Sequence, residues 1–141
     1  MQKILVPVDG SENSERAIKL AIAFGKENPS IELFVLNVQL PIESGLVRDF
    51  ISEEKINAFI ADEGARLLAS ARFLLDGAGA RYTSAVATGP AAETIADYVK
   101  RMHCDHVVMG TRGMGALKSL VVGSTAIRVI HLVDVPVTVV K

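Results

Sequence analysis

Residues 3–24 read KILVPVDGSENSERAIKLAIAF, and the change of rhythm inside them decides the fold. From Lys3 to Val8 the residues are almost all apolar and largely β-branched, as in a strand buried on both faces. Asp9-Gly10 ends that run. After Ser11, a residue type that caps helices, the apolar positions fall at Ala17, Leu20, Ala21 and Phe24, the spacing of a helical stripe. Asn28-Pro29 stops the helix.

Outward from this stretch the same alternation recurs. IELFVLNV (31–38) is a second strand and Pro41–Phe50 reads as a loop. A long helix from Ser52 carries Ile56, Phe59, Ile60, Leu67, Ala71 and Leu74 on one broad stripe and ends at the glycines of DGAG (76–79). RYTSAVAT (81–88) is a third strand. Gly89-Pro90 opens a helix with Pro90 at its first position and Ala92, Ile95, Val99 and Met102 on its apolar face. HVVMG (106–110) is a fourth strand, Ala126, Val129, Ile130 and Val133 mark a last helix, and VPVTVV (135–140) is a fifth strand. Strands alternating with helices imply an α/β fold with a parallel sheet covered on both faces. In such sheets ligands bind beyond the carboxyl ends of the strands, where strand order reverses.

Composition narrows the function. The 141 residues suit one domain spanning 1–141, and half of them are hydrophobic, enough for a packed core without metals or disulfides. A net charge of −1 with interspersed signs, five Phe, two Tyr and no Trp argues against nucleic acid as a partner. Cys104 is the one cysteine, which suits a reducing compartment. The apolar run before Asp9 is too short for a signal peptide, and no run of eighteen apolar residues suggests a membrane span. The expectation is a cytoplasmic protein with no membrane partner.

The strand-to-helix turn with the most distinctive chemistry is MGTRGMGALKSLVVGST (109–125). It is not a P-loop, because Ala116 stands where the phosphate-binding lysine belongs. Nor is it a dinucleotide fingerprint: Lys118 replaces the third glycine, and the stretch follows the fourth strand rather than the first. Charge placement says more. The first helix starts amid Asp9, Glu12 and Glu15, and the helix after the third strand has Glu93 in its first turn. The last helix starts at Gly123-Ser124-Thr125 with no acid, and Arg112 and Lys118 lie upstream. A helix start of that kind attracts anions through its free N–H groups and its dipole. Gly110, Gly113 and Gly123 would allow positive φ and close approach, and Ser124 and Thr125 could donate hydroxyl hydrogen bonds. Residue chemistry alone leaves two readings open: an anion site, or plain turn chemistry with Ser124 as a helix cap.

Two other features tempt. His103-Cys104-Asp105-His106 offers four residues of metal-ligating type in a row, but adjacent residues at a helix end point in different directions, so a helix-end histidine beside a buried cysteine is expected. Asp9 after the first strand would suit a phosphorelay receiver, yet the third strand ends AVATGP without a phosphoacceptor. No nucleophile–base pair or general base stands near the glycine loop, and Arg112 is the one candidate phosphate clamp.

Gly110-x2-Gly113-x9-Gly123-Ser124 resembles the nucleotide-binding signature of the universal stress protein family. ILVPVDGS, GPAAETI, DHVVMGTRG and VPVTVV resemble that family too, so the likeness runs over essentially the whole chain. It implies a doubly wound five-stranded parallel sheet in order 3-2-1-4-5, helices on both faces, an adenine nucleotide alpha-hydrolase-like fold, and homodimers paired through the last strand. The intact signature places the chain with the members that bind ATP, or AMP or cAMP, with Mg. Residue by residue, Pro7, Val8 and Asp9 match the part that meets adenine and ribose, and Val38 a position beside the base. Met109, Gly110, Thr111, Arg112 and Gly113 match one half of the phosphate loop, and Gly123, Ser124 and Thr125 the other. The expected role is a nucleotide-dependent regulator that an unknown protein partner reads. The alternative is a slow ATP hydrolase or phosphoryl-transfer enzyme.

Overall fold

The computed structural model describes residues 2–111 and 122–141. In chain order the elements are β1 (Lys3–Pro7), α1 (Glu12–Glu27), β2 (Glu32–Gln39), α2 (Gly45–Phe50), α3 (Glu53–Gly77), β3 (Tyr82–Thr88), α4 (Ala91–Arg101), β4 (His106–Gly110), α5 (Ser124–Leu132) and β5 (Val137–Val140). All strands are parallel, in the order β3-β2-β1-β4-β5, with Leu5 beside Phe34 and Val107, and Met109 beside Val139.

The unbroken apolar strands are explained by two cores. Ile4, Val6, Leu33, Val35 and Val108 face Ala17, Ile18 and Ala21 of α1 and Leu68, Ala71 and Leu75 of α3. Leu5, Phe34, Leu36, Val107 and Met109 face Ala92, Ile95 and Val99 of α4 and Ala126 and Val129 of α5. Neighbours such as Leu5 and Val6 therefore leave water on opposite sides of the sheet, and both are wholly buried. Each such side chain contributes about 1.5–3 kcal/mol by burial.

Right-handed crossovers set which face each helix covers. From β1 the chain steps outward through β2 to β3, and α1 and α3 cover one face. It then returns to the other side of β1 and steps outward through β4 to β5, so α4 and α5 cover the opposite face. The reversal lies between β1 and β4 and opens a crevice at their carboxyl ends.

Several local expectations shift. Pro41–Phe50 is not all loop, because α2 forms at Gly45–Phe50, where the Ser44 hydroxyl accepts the Val47 N–H at 3.4 Å. Six residues are too few to display a helical period. Pro90 caps α4 rather than beginning it. On α3 the buried line is Ile56, Gly64, Leu68, Ala71 and Leu75, while Phe59 is 61% exposed. The core-facing line passes through Leu68 and Leu75, one position on from Leu67 and Leu74, so the expected stripe is rotated by part of a turn and Phe59 falls outside the buried face. Ile130 faces outward for the same reason that Ala126 and Val129, one turn apart, face inward; Val133 lies just past α5 as its C-terminal cap. No helix among the described residues is long and apolar enough to cross a membrane.

At the far end of β4, the His106 Nε2 and Thr138 Oγ1 lie 2.8 Å apart and bind β4 to β5. Burial holds the His106 imidazole below its ordinary value of 6.5. Its contribution to stability is thus complete above pH 6.5 and is lost as pH falls through the lower folded value. The urea midpoint is expected to drop between pH 7 and pH 5, and His106→Gln is expected to flatten that drop. An unaltered pH slope in the variant would refute this account.

Candidate functional site

A cavity of about 450 Å³ opens at the reversal between β1 and β4. Pro7, Val8 and Asp9 bring the end of β1 to it, and Val38 the end of β2. Met109, Gly110 and Thr111 reach it from β4, and Gly123, Ser124 and Thr125 from the head of α5. Of the residues singled out from sequence, Arg112 and Gly113 lie outside the described residues, as does Lys118. The rest share this one cavity. Leu36, Ala91, Ile95 and Ala126, with Ser11 and Ser14, complete the lining.

The β1–α1 side is fixed by local hydrogen bonds. Gly10 takes φ +82°, which turns the chain between strand and helix. The Ser11 N–H donates to Asp9 Oδ1 at 2.9 Å, and the Asp9 N–H donates to Ser14 Oγ at 3.4 Å. Ser11 caps α1 by accepting the Ser14 N–H at 3.2 Å. Behind this turn the buried Asn37 amide donates to the Val8 carbonyl at 2.8 Å, and the Val8 N–H donates to the Leu36 carbonyl at 2.8 Å. Among the described lining residues, Asp9 is the one ionisable side chain.

The β4–α5 side is closed on itself. The Thr111 N–H donates to the Val140 carbonyl at 2.8 Å, and the Gly123 N–H donates to the Thr111 carbonyl at 2.5 Å. Thr111 and Gly123 are thereby joined to each other, and Thr111 to β5, by backbone hydrogen bonds. Gly110 and Gly123 do not use positive φ, contrary to expectation: Gly110 lies within β4, and Gly123 has φ −73°. What Gly110 provides is space, since a Cβ there would stand 2.8 Å from the Asn13 backbone carbon.

Electrostatics separates the helix starts. Gly123 caps α5 with no side-chain hydrogen bond, and Ser124 is the first helical residue rather than the cap. The first turn of α5 holds no acid, and Ser124, Thr125 and Ala126 line the cavity, so the positive end of the helix borders it, with no cap side chain among the described residues accepting its N–H groups. By contrast, α1 is capped by Ser11 and carries Glu12 and Glu15. The α4 start carries Glu93, whose carboxyl is held below its usual range by the Arg128 guanidinium that donates to it from α5.

One wall of the cavity is thus apolar, formed by Val8, Leu36, Val38, Ile95 and Met109, and suits a flat apolar or aromatic group. The Asp9 carboxylate and the anion-attracting start of α5 share the cavity lining. Sequence reading missed Leu36, Ala91, Ile95 and Ala126 as lining residues. Their apolar spacing marks them equally well as core, and only the position of the sheet end makes them a wall. Ser14 carried a signal in its three-residue offset from Ser11.

The histidine–cysteine run lies elsewhere. Cys104 is buried in the core beneath α4, where desolvation pushes its thiol up to about 11. His103 takes φ 54° after α4, and His106 turns to Thr138. Among the described residues no group of three His, Cys, Asp or Glu side chains is placed to hold a metal.

The whole chain, residues 1–141, matches the family model described as Universal stress protein family. Universal stress protein MJ0531 of Methanocaldococcus jannaschii is 32% identical over 146 residues, spanning 99% of this chain and 82% of that protein. The solved structure of hypothetical protein MJ0577 superposes with a TM-score of 0.85 at 29% identity, covering 99% of this chain and 95% of that one. A family protein from Arabidopsis thaliana, solved with AMP bound, shares the fold with a TM-score of 0.70 at 22% identity, covering 100% of this chain and 92% of that one.

Proposed function

The chain belongs to the universal stress protein family, and on that premise we propose that its crevice binds an adenine nucleotide and that the protein is a nucleotide-dependent regulator in the stress response. The observation that carries this reading is a cavity whose described lining combines an apolar wall, the Asp9 carboxylate and an acid-free helix start capped only by Gly123. Those are the needs of a base, a ribose and a phosphate. The base lies against Val8, Val38 and Met109, and the Asp9 carboxylate accepts hydrogen bonds from ribose hydroxyls. The phosphates lie at the head of α5 with Ser124 and Thr125, and the sequence likeness assigns Arg112 and Gly113 to the same phosphates. The AMP carried by the Arabidopsis protein of the same fold supports this assignment.

ATP is the nucleotide proposed, with AMP and cAMP as its competitors. Magnesium would come with the triphosphate, held by phosphate oxygens and at most the one carboxylate of Asp9, which suits an ion that keeps most of its waters. The described lining residues offer no second acid or base beside Asp9, and binding rather than catalysis is the role proposed. The protein works as one domain over 1–141, in the cytoplasm, and as a homodimer: β5 is a sheet edge of three valines and a threonine, all half-buried, open to pairing with a second copy. Occupancy then alters a surface read by a protein partner.

The test is mass spectrometry of denatured, freshly purified protein together with calorimetric titration of ATP, AMP and cAMP. Co-purified adenine nucleotide, or saturable binding below millimolar concentration, is expected. Neither signal in the folded protein would sink the proposal.

A further inference from the structure

We propose that Asn13 and Arg16 of α1 are positioning residues for the phosphate end of the crevice, acting through Thr111 without touching the ligand. The inference rests on the nucleotide-binding reading above. Neither side chain lines the cavity. Asn13 is 8% exposed and Thr111 3%, and the Asn13 amide donates to Thr111 Oγ1 at 3.5 Å. Behind Asn13, the Arg16 guanidinium donates to Asn13 Oδ1 and, through Nε, to the Lys141 carbonyl at 2.6 Å. A polar chain therefore runs from the end of β5 through α1 to the residue where the glycine segment departs.

Thr111 is the hub of that arrangement. Its N–H is held by Val140 and its carbonyl by the Gly123 N–H, so it sits between β5 and the head of α5. Asn13 adds a third hold through the side chain. Gly110 is shaped for this contact, because its missing Cβ is what lets the Asn13 backbone approach β4. A buried amide costs stability unless it is hydrogen-bonded, and an apolar residue would pack α1 against β4 without that demand. What the amide adds is a fixed orientation of Thr111, hence of Gly123 and the N–H groups behind it. Anion binding depends steeply on where those donors point.

The full chain serves for the test. Affinities for AMP and adenosine are measured by calorimetry on the parent, Asn13→Ala, Arg16→Met and the double variant, with urea unfolding alongside. Each single variant is expected to weaken AMP roughly tenfold, the size of one lost hydrogen bond to a charged network. The double variant is expected to be no weaker than Asn13→Ala, because the two act in one chain. Adenosine, lacking phosphate, is expected to keep the parent affinity. Equal losses for AMP and adenosine would show a merely structural role and overturn the proposal, as would additive losses or unchanged AMP affinity. If Asn13→Ala fails to fold, Arg16→Met decides, since the Arg16 side chain is 48% exposed. If the parent binds AMP but not adenosine, additivity on AMP alone decides. A parent that binds neither ligand refutes the nucleotide reading and this proposal with it, an outcome distinct from a binding parent with indifferent variants.

Discussion

Gly123→Val is expected to weaken AMP and ATP binding by at least about 100-fold, close to 3 kcal/mol, while urea unfolding changes by no more than about 1 kcal/mol. The backbone argument comes first. Gly123 has φ −73° and ψ 161°, an extended conformation open to valine, so the substitution imposes no left-handed strain. Its cap position makes no side-chain hydrogen bond that could be lost. The binding argument is steric and electrostatic together. Gly123 lines the cavity beside the start of α5, and an isopropyl group at that position is expected to crowd the space an anion would occupy there. Adenosine binding is expected to suffer far less than AMP binding. A variant that folds and still binds AMP like the parent would remove the head of α5 from the site.

Asp9→Asn is expected to weaken adenosine and AMP alike, by roughly 10- to 100-fold, since hydrogen bonds to a charged group contribute about 1.5–3 kcal/mol. Asparagine keeps an oxygen that can accept the Ser11 N–H, now 2.9 Å from Asp9 Oδ1, so the turn into α1 survives. What is lost is the negative charge and one acceptor in the lining of the cavity, where ribose hydroxyls would meet it. The two variants thus dissect the ligand. Gly123→Val removes the preference for a phosphate, whereas Asp9→Asn lowers affinity for the nucleoside itself. Calorimetry on both ligands separates them, and an Asp9→Asn protein that loses AMP but not adenosine would move Asp9 to the phosphate end.

Much of this site was legible before any coordinates. Asp9 and Gly110 sit at strand ends because apolar runs stop there, and strand ends are where such sheets bind ligands. The acid-free start of α5 was readable as charge placement along the chain. Less legible was why the glycines are there. The Gly110 spacing suggested backbone freedom, yet its use is to admit α1 against β4, a contact 97 residues apart in the chain (110 minus 13). Asn13 offered only the signal of a residue type that caps helices and Arg16 none, because an asparagine and an arginine near a helix start look like cap and solvated surface until the neighbouring strand is known.

The local rhythm of the chain, taken alone, determined the alternation of strands and helices, the burial of the sheet on both faces and the charge of each helix start. Those properties depend on residues a few positions apart, where side-chain direction follows from backbone period. The likeness to a known family supplied the strand order. Tertiary structure alone decided which apolar residues became a cavity wall rather than core, which glycine was a spacer, and that Thr111 meets Gly123. Each of these depends on how closely remote segments approach when two cores close on one sheet, a distance set by packing and not written in any local pattern.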